Sequence, residues 1–305
     1  MNHTSRWGIL CPVNTCPFDF GIPDYPLAEE TLYGVGGPAR LALRPNTREQ
    51  LVEAYLWMRQ QQAPTLVLGG GSNALIRDGG FPGIVLLTDC LNEMDALGDN
   101  RYRIGAGVEL NRVVVDLMVR YNFAGTGGLT GIPGSVGGAI YMNAGTVNGS
   151  ICQLMTSVDV VTDDGPQTIP MAPDLYGYRG QRFCPAGGLI LGGEFAFEVA
   201  DDDQRAIYEH YIQRRKEKQP AGKSCGSVFK NPANDHAGRL IEACGLKGTR
   251  RGGAVISALH ANFIINENNA RCADILELIE ECKSAVRDRF GIELEEEVRV
   301  FGVDG

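Results

Sequence analysis

Three successive glycines followed by serine and asparagine are the first residues in this chain whose types indicate chemistry. They form Gly69-Gly70-Gly71-Ser72-Asn73, directly after the apolar run Thr65–Leu68. Successive glycines allow neighbouring backbone N–H groups to face one side and bind an anion, and the two polar side chains add further donors. The pattern predicts a diphosphate-binding loop, although a tight turn fits a glycine triplet equally well.

A second glycine-dense segment, residues 127–145, is more specific. Seven of its 19 residues are glycine, interleaved with Ile, Val and Met rather than with Ser and Gln. A disordered segment would not carry those apolar residues, so the pattern indicates ordered backbone that wraps a ligand. An elongated, partly apolar ligand with a diphosphate fits both segments, and a flavin dinucleotide is such a ligand.

Two familiar nucleotide-binding patterns do not fit. A Rossmann fingerprint leads straight into a helix, but Gly79-Gly-Phe-Pro-Gly83 follows the first loop here. Gly222-Lys-Ser224 imitates the end of a Walker A loop, but Glu217 stands where that loop needs glycine. The nine cysteines include no C-x-x-C pair, so neither a metal site nor a disulfide scaffold is predicted.

The elements that must position these loops alternate between strand and helix in the first 200 residues. A helix is expected after Thr47, where T-R-E-Q resembles a capping box. Hydrophobic spacing predicts another helix over residues 110–121 and strands at 65–68, 84–87, 101–104, 157–161 and 189–197.

The chain changes character near Asp201, where a run of acids begins a helical stretch that ends near Lys218. Beyond it we expect helices over Ala237–Ala243 and 270–290, the second ending at Gly291, and strands at 262–265 and 297–301. The whole is predicted to be an α+β protein with a larger N-terminal lobe and a smaller C-terminal lobe.

Composition limits the partners. The 305 residues carry a formal net charge of −9, which argues against non-specific binding to nucleic acid. The N-terminus lacks the pattern of a signal peptide, and no stretch of 18 apolar residues exists. We therefore expect a cytoplasmic protein whose partners include neither nucleic acid nor membrane.

Several longer motifs, taken in order, resemble those of the UDP-N-acetylenolpyruvoylglucosamine reductase family. The motifs are Val67–Asn73, Gly128–Gly138, Tyr178-Arg179, Gly226-Ser-Val-Phe-Lys-Asn-Pro232, Ala237–Glu242, Gly245–Gly248 and His260-Ala-Asn-Phe263. The resemblance runs from about Thr31 to Gly302, which is nearly the whole chain. The short separation of Arg179 from Ser227 matches the shorter, second type of the family.

For the fold, the resemblance implies a two-part FAD-binding lobe of the vanillyl-alcohol-oxidase (PCMH) type over residues 31–200. A C-terminal α+β substrate-binding domain is implied for residues 201–305, with residues 1–30 as an N-terminal extension. A monomer is expected.

For the activity, the resemblance implies reduction of UDP-N-acetylglucosamine enolpyruvate to UDP-N-acetylmuramate. The implied cofactor is tightly but non-covalently bound FAD, with NADPH as electron donor. The residues implied to hold FAD lie in the two glycine segments: Gly69, Gly70, Gly71, Ser72, Asn73, Gly128, Ile132, Pro133, Gly134, Ser135, Gly137, Gly138, Ala139, Asn143 and Gly145.

Three residues are implied to be catalytic. Adding a hydride to an enol ether conjugated with a carboxylate builds negative charge on the carboxylate, and Arg179 matches the family's cation there. Ser227 matches the serine that protonates the adjacent carbon, and Glu297 matches the glutamate that assists it. Because Glu295 and Glu296 precede Glu297 directly, the register of this assignment stays open.

Tyr178, Lys218 and Asn231 match positions that hold the nucleotide-sugar substrate. Lys218 also fits the solvated end of a basic helix, and His260 fits either a flavin contact or a cap on a strand. The chain departs from the family at two positions, with Gln181 in place of a serine and Cys225 in place of an alanine. If Cys225 lies in the active site, we expect its alkylation to block turnover.

Two other functions stay open. An oxidase on the same flavin fold would pass electrons to oxygen, but no His or Cys stands in an obvious context for covalent flavin attachment. A catalytically silent flavin or UDP-sugar sensor would not need a proton donor such as Ser227.

Overall fold

The computed structural model describes residues 15–305. Within them the chain divides into two compact units. The first comprises residues up to Pro23, Leu41–Gly70 and Gly83–Gln213, and the second comprises Asp24–Arg40, Gly71–Pro82 and Arg214–Gly305. Cys11 and the first half of the predicted N-terminal extension lie outside the described residues.

Strands and helices mix along the whole described chain. The strands are β1 (Gly21–Pro26), β2 (Pro38–Leu43), β3 (Thr65–Leu68), β4 (Ala74–Ile76), β5 (Phe81–Leu87), β6 (Met94–Gly98), β7 (Arg101–Gly105), β8 (Gly145–Thr146), β9 (Gly149–Ser150), β10 (Met155–Thr162), β11 (Gly165–Pro170), β12 (Tyr176–Gly177), β13 (Gly180–Gln181), β14 (Leu189–Ala196), β15 (Arg250–Arg251), β16 (Ala254–Ile256), β17 (Ile264–Asn266) and β18 (Arg299–Phe301). The helices are α1 (Arg48–Arg59), α2 (Leu110–Arg112), α3 (Thr126–Leu129), α4 (Val136–Tyr141), α5 (Gln204–Lys218), α6 (Ala237–Ala243) and α7 (Cys272–Phe290).

Two sheets carry the first unit. One has the strand order β1-β2-β5-β3, and the other has the order β11-β10-β14-β7-β6. In the first sheet β3 and β5 run parallel, with Thr65 opposite Ile84. The buried face of α1 packs beside this pair, and the Oγ1 of Thr47 caps the helix by accepting from the backbone N of Gln50 at 3.2 Å.

The second sheet of this unit is antiparallel and supports the glycine-dense segment. Buried side chains of β10 and β14 share one apolar cluster with Val136 and Ile140 of α4. Burial of these large side chains is the main source of stability for a short helix that contains two glycines.

A parallel strand pair in the second unit explains why its chain is discontinuous. β4 pairs with β18, Arg299 lying opposite Ala74, so residues 71–82 belong with the C-terminal stretch. The carboxylate of Asp78 also accepts from the backbone N of Cys272 at 2.8 Å and of Ala273 at 2.9 Å, which caps α7. The contacts therefore divide the chain differently from the expected limits 31–200 and 201–305.

Most predicted elements are present, with two informative differences. The helix expected over residues 110–121 starts as α2 but continues as a π-helix over Val113–Val119. The strand expected at 262–265 begins only at Ile264, because Phe263 closes a turn by donating its N–H to the carbonyl of His260 at 3.0 Å. The prediction of an α+β fold is confirmed.

None of the helices within residues 15–305 combines the length and the apolarity needed to cross a membrane.

Candidate active site

In the first unit, the backbone at Gly69 and Gly70 lies against the start of α4. A Cβ on Gly69 would fall 2.5 Å from Ser135 Oγ, and one on Gly70 would fall 2.9 Å from Ser135 N. Both distances are shorter than real Cβ contacts, so glycine is required here for close approach of two backbone segments. The sequence predicted these two segments to act together, and the structure places them side by side.

Ser135 is the centre of this contact. Its Oγ accepts from Gly70 N at 3.1 Å and from Gly138 N at 3.4 Å, and it caps α4. A hydroxyl that accepts twice still has one O–H to donate, which suits an acceptor-only partner such as a phosphate oxygen. Gly70 and Gly138 are both exposed beside it. The Ser135 hydroxyl, flanked by two exposed glycines, therefore fits a contact with the diphosphate of FAD.

The other predicted cofactor residues of the first unit belong to the glycine-dense segment 127–145. A Cβ on Gly128 or Gly145 would meet the carbonyl of Gly149 at 2.9 Å or 2.3 Å, so both glycines allow close packing on β9. Ala139 and Gly137 are buried, Ile132 and Gly134 are half-buried, and Pro133 is exposed.

Gly71 and Asn73, the later residues of the first loop, belong to the second unit and make their contacts there. Gly71 has φ +57°, and a Cβ there would lie 1.7 Å from the carbonyl of Glu30. Asn73 donates its Nδ2 to the carbonyl of Glu297 at 2.9 Å, and its own carbonyl accepts from Arg299 N at 3.0 Å. The amide that the sequence assigned to FAD thus holds the segment that carries Glu297. Ser72 is half-buried beside it.

Arg179 occupies a strained turn in the first unit. It follows Tyr178 in the two-residue connection between β12 and β13, where Gly177 pairs with Gly180. Its φ of +54° lies in the left-handed region, which costs a non-glycine residue on the order of 1 kcal/mol. An arginine kept at such a position is an indication of function.

The hairpin is tied to the glycine-dense segment. Arg179 donates its Nη1 to the carbonyl of Gly145 at 3.0 Å, and Asn143 donates its Nδ2 to the carbonyl of Gly177 at 2.8 Å. The Oδ1 of Asn143 accepts from Cys152 N at 3.3 Å, so this buried amide, predicted to bind FAD, also joins the protein's own backbone.

Gln181 stabilises the far end of the same hairpin. Its Nε2 donates to the carbonyl of Cys184 at 2.7 Å, and its Oε1 accepts from Cys184 N at 2.7 Å. The departure from the family's serine therefore supplies a two-point clamp of its own. Tyr178 is 66% exposed and lies with its ring centroid 5.2 Å from the Arg179 guanidinium, a cation–π contact.

Ser227 and Glu297 lie on neighbouring backbone segments of the second unit. The carbonyl of Val228 accepts from Glu297 N at 2.7 Å, and both Ser227 and Glu297 are half-buried. Gly226, with φ +76°, provides the left-handed turn before Ser227, and a Cβ there would meet nothing within 4 Å. The glycine is required by conformation rather than by space.

The acids before Glu297 have other partners. The carboxylate of Glu295 pairs with Lys230, and that of Glu296 pairs with Lys283 at 3.0 Å.

The thiol of Cys225 is buried in this fold. It is 8% exposed, its Sγ donates to the carbonyl of Ala74 at 3.5 Å, and burial raises the pKa of its thiol to about 12. Its side chain packs in the core of the second unit, which contradicts the expectation of a reagent-accessible active-site thiol.

His260 holds a turn. Its Nδ1 accepts from Asn262 N at 3.2 Å, its ring meets Phe263 edge-on, and burial lowers its pKa. These contacts match the structural interpretation that the sequence left open.

The predicted substrate residues of the second unit lie at its surface. Lys218 is the exposed last residue of α5. Asn231 is exposed, and its Oδ1 accepts from Ala237 N at 3.1 Å, which leaves the Nδ2 end of the amide to face a ligand. Within residues 15–305, no cluster of three His, Cys, Asp or Glu side chains has the arrangement to hold a metal ion.

The structure thus brings Gly69 and Gly70 to Ser135 and Gly138 in the first unit, and Ser227 to Glu297 in the second. Arg179 and Tyr178 belong to the first unit, whereas Lys218 and Asn231 belong to the second. Sequence reasoning missed the clamp made by Gln181. It also missed the clamp made by Asn262, whose amide accepts from Phe229 N at 2.9 Å and donates to Phe229 O at 2.8 Å. The only available signal for Asn262 was its place in the motif His260-Ala-Asn-Phe263.

The contact at Ser135 fits an FAD-dependent oxidoreductase, and comparison with known proteins shows that this is the class of the chain. Residues 39–168 match the family described as "FAD binding domain", and residues 217–301 match "UDP-N-acetylenolpyruvoylglucosamine reductase, C-terminal domain". The reductase of Chloroflexus aurantiacus is 39% identical, covering 92% of this chain and 97% of its own length. That of Geobacter metallireducens is 42% identical, covering 92% and 93%.

A solved structure extends the comparison. The crystal structure of the reductase from Thermus caldophilus superposes with a TM-score of 0.75 at 36% identity, covering 92% of this chain and 98% of that one. The chain belongs to the UDP-N-acetylenolpyruvoylglucosamine reductase family. The predicted fold and the FAD cofactor are thereby confirmed.

Proposed function

We propose that this protein reduces UDP-N-acetylglucosamine enolpyruvate to UDP-N-acetylmuramate, with NADPH as the electron donor. The enolpyruvyl C=C bond gains a hydride and a proton, and NADPH is oxidised to NADP⁺. The reaction serves peptidoglycan precursor synthesis, which we place in the cytoplasm, with the enzyme acting as a monomer on small molecules.

The observation that carries the proposal is the hydrogen bond from Glu297 N to the carbonyl of Val228, which holds the Ser227 and Glu297 segments together at 2.7 Å. A serine hydroxyl is a weak acid and needs a neighbouring group that handles its proton. A carboxylate on the adjacent backbone segment suits that need.

Each of the predicted site residues has a role that follows from the chemistry of its side chain. Arg179 stabilises the negative charge that develops on the substrate carboxylate, because a guanidinium fork stays charged and binds two oxygens at once. Ser227 delivers a proton to the substrate carbon, and Glu297 restores or relays that proton. Tyr178, Lys218 and Asn231 hold the nucleotide sugar, with the Lys218 ammonium opposite an anionic oxygen.

The chemistry that bound FAD would supply is two-electron transfer from the nicotinamide to the enolpyruvyl double bond. The Ser135 hydroxyl would donate to the diphosphate of FAD. The N–H groups of Gly70 and Gly138 orient that hydroxyl by donating to Ser135 Oγ, and the missing Cβ at Gly69 leaves room for it.

One anaerobic titration tests the proposal. The yellow protein should bleach with NADPH and recolour when the enolpyruvyl UDP-sugar is added without oxygen. Recolouring by air alone would identify an oxidase instead, and failure to bleach with either NADPH or NADH would identify a sensor. Running NADH beside NADPH measures the nicotinamide preference.

A further inference from the structure

One buried amide in the second unit directs its hydrogen bonds at the segment just after Ser227. Asn262 is 3% exposed. Its Oδ1 accepts from Phe229 N at 2.9 Å, its Nδ2 donates to Phe229 O at 2.8 Å, and its backbone carbonyl accepts from Val228 N at 2.9 Å. Asn262 therefore takes three of the four backbone polar groups of Val228 and Phe229.

The fourth group leads to Glu297. The carbonyl of Val228 accepts from Glu297 N at 2.7 Å. Val228 thus lies between two fixed partners, with Asn262 on its amide side and the Glu297 segment on its carbonyl side. The direction of this short stretch determines where the preceding Ser227 points.

The residues before Ser227 restrain it less. Gly226 has room for other conformations, since a Cβ there would meet nothing within 4 Å. Cys225 is anchored in the core of the second unit, but Gly226 separates it from Ser227. Ser227 is therefore restrained mainly from the Phe229 side.

We infer that Asn262 is a positioning residue for Ser227 and fixes the hydroxyl for proton delivery. The inference rests on the proposed function, in which Ser227 is the proton donor. A neutral amide is suited to this role because it donates and accepts at once, whereas an aspartate only accepts. Proton transfer depends on geometry, and a displacement of about 1 Å costs on the order of a hundredfold in rate.

The test measures the two half-reactions separately by stopped-flow flavin absorbance. Asn262→Ala should leave reduction by NADPH unchanged and slow reoxidation by the enolpyruvyl sugar by a factor of about 10 to 100. Asn262→Asp, which keeps the size and the acceptor but loses the donor, should slow the same step. It replaces the alanine variant if that variant does not fold.

A double-mutant cycle separates positioning from general damage. In a Ser227→Ala background, Asn262→Ala should produce no further slowing, because the hydroxyl that it positions is already absent. The same slowing in both backgrounds would overturn the inference, as would a Ser227→Ala enzyme that reoxidises at the wild-type rate.

Asn266 provides a matched control. Its side chain also makes two backbone hydrogen bonds, to Tyr33 O at 2.8 Å and from Ala270 N at 2.8 Å. Asn266→Ala should lower the melting temperature as Asn262→Ala does, without changing the ratio of the two half-reactions; an equal change in that ratio would overturn the inference. Failure of the wild-type enzyme to recolour with the enolpyruvyl sugar would instead refute the proposed function, and the inference with it.

Discussion

The glycine loop of the first unit and the Ser227 segment of the second unit are held by different means. At the glycine loop, a Cβ on Gly70 would collide with Ser135 N and one on Gly69 with Ser135 Oγ. In the second unit, amide side chains hold the functional segments: Asn262 binds Phe229, close to Ser227, and Asn73 binds the carbonyl of Glu297. Backbone that approaches a neighbouring segment closely needs glycine, whereas a side chain that moves a proton needs a directed clamp.

The largest expected effect is on the rate of flavin reoxidation when Ser227, in the segment held by amide side chains, is replaced. Ser227→Ala should remain yellow and accept electrons from NADPH normally, while reoxidation by the enolpyruvyl sugar slows by a factor of about 100 or more. Ser224→Ala, in the same loop, is the matched control. Stopped-flow measurement of each half-reaction reports the result, and wild-type reoxidation would assign the proton to another group.

Arg179→Lys tests whether the strained turn is kept for a guanidinium. Lysine preserves the charge but loses the fork, so we expect a higher KM and a lower kcat, together about 10- to 100-fold in kcat/KM. Arg182→Lys, three residues later and exposed, should have little effect. Unchanged kinetics in Arg179→Lys would mean that charge alone suffices.

Gly70→Ala tests the backbone half. The added Cβ would push the backbone of Gly134 and Ser135 away from residue 70. We expect FAD affinity to fall about tenfold, because modest overpacking costs a free energy of that size. Gly177→Ala, where a Cβ would meet nothing within 4 Å, should retain FAD. Flavin release on dilution measures both variants, and full retention by Gly70→Ala would show that the close approach is not needed for binding.

A smaller effect is expected inside the second unit. Tyr33 is fully buried, and among the described residues its hydroxyl makes no hydrogen bond of normal geometry, since its approach to the Cys225 backbone falls short of one. Tyr33→Phe should therefore raise the free energy of unfolding by about 1 kcal/mol. Tyr25→Phe, which removes a hydroxyl bonded to Glu30 at 2.5 Å, should lower it. Urea denaturation compares the two, and a destabilised Tyr33→Phe would reveal a partner for the hydroxyl.

The smallest effect is expected at Cys225. With its pKa raised to about 12 by burial, the thiol is ionised in only about one molecule in ten thousand at pH 8. Iodoacetamide should leave Cys225 and activity intact in the folded protein but modify it in urea. Mass spectrometry measures this, and modification with loss of turnover would show that the loop opens.

The sequence was sufficient to predict the glycine segments but not the amide clamps. The bounds of α6 match its prediction, and the glycine segments were found because glycines clustered among apolar residues indicate ordered backbone that approaches a neighbour closely. The clamp of Asn262 on Phe229 joins residues 33 apart, and an asparagine in a loop is too common to signal it. The π-helical turn at Val113–Val119 is hidden because its run of apolar residues fits an ordinary helix equally well.

Because Arg179 has left-handed backbone, selection for stability and selection for activity should favour different residues at this position. A library selected only for heat resistance should be enriched in glycine or asparagine at 179, since either relieves a cost of about 1 kcal/mol. A library selected for growth of a cell that depends on the proposed activity should keep arginine. Replacement of arginine at residue 179 in a related protein would therefore indicate that the fold has been retained while the activity has been lost.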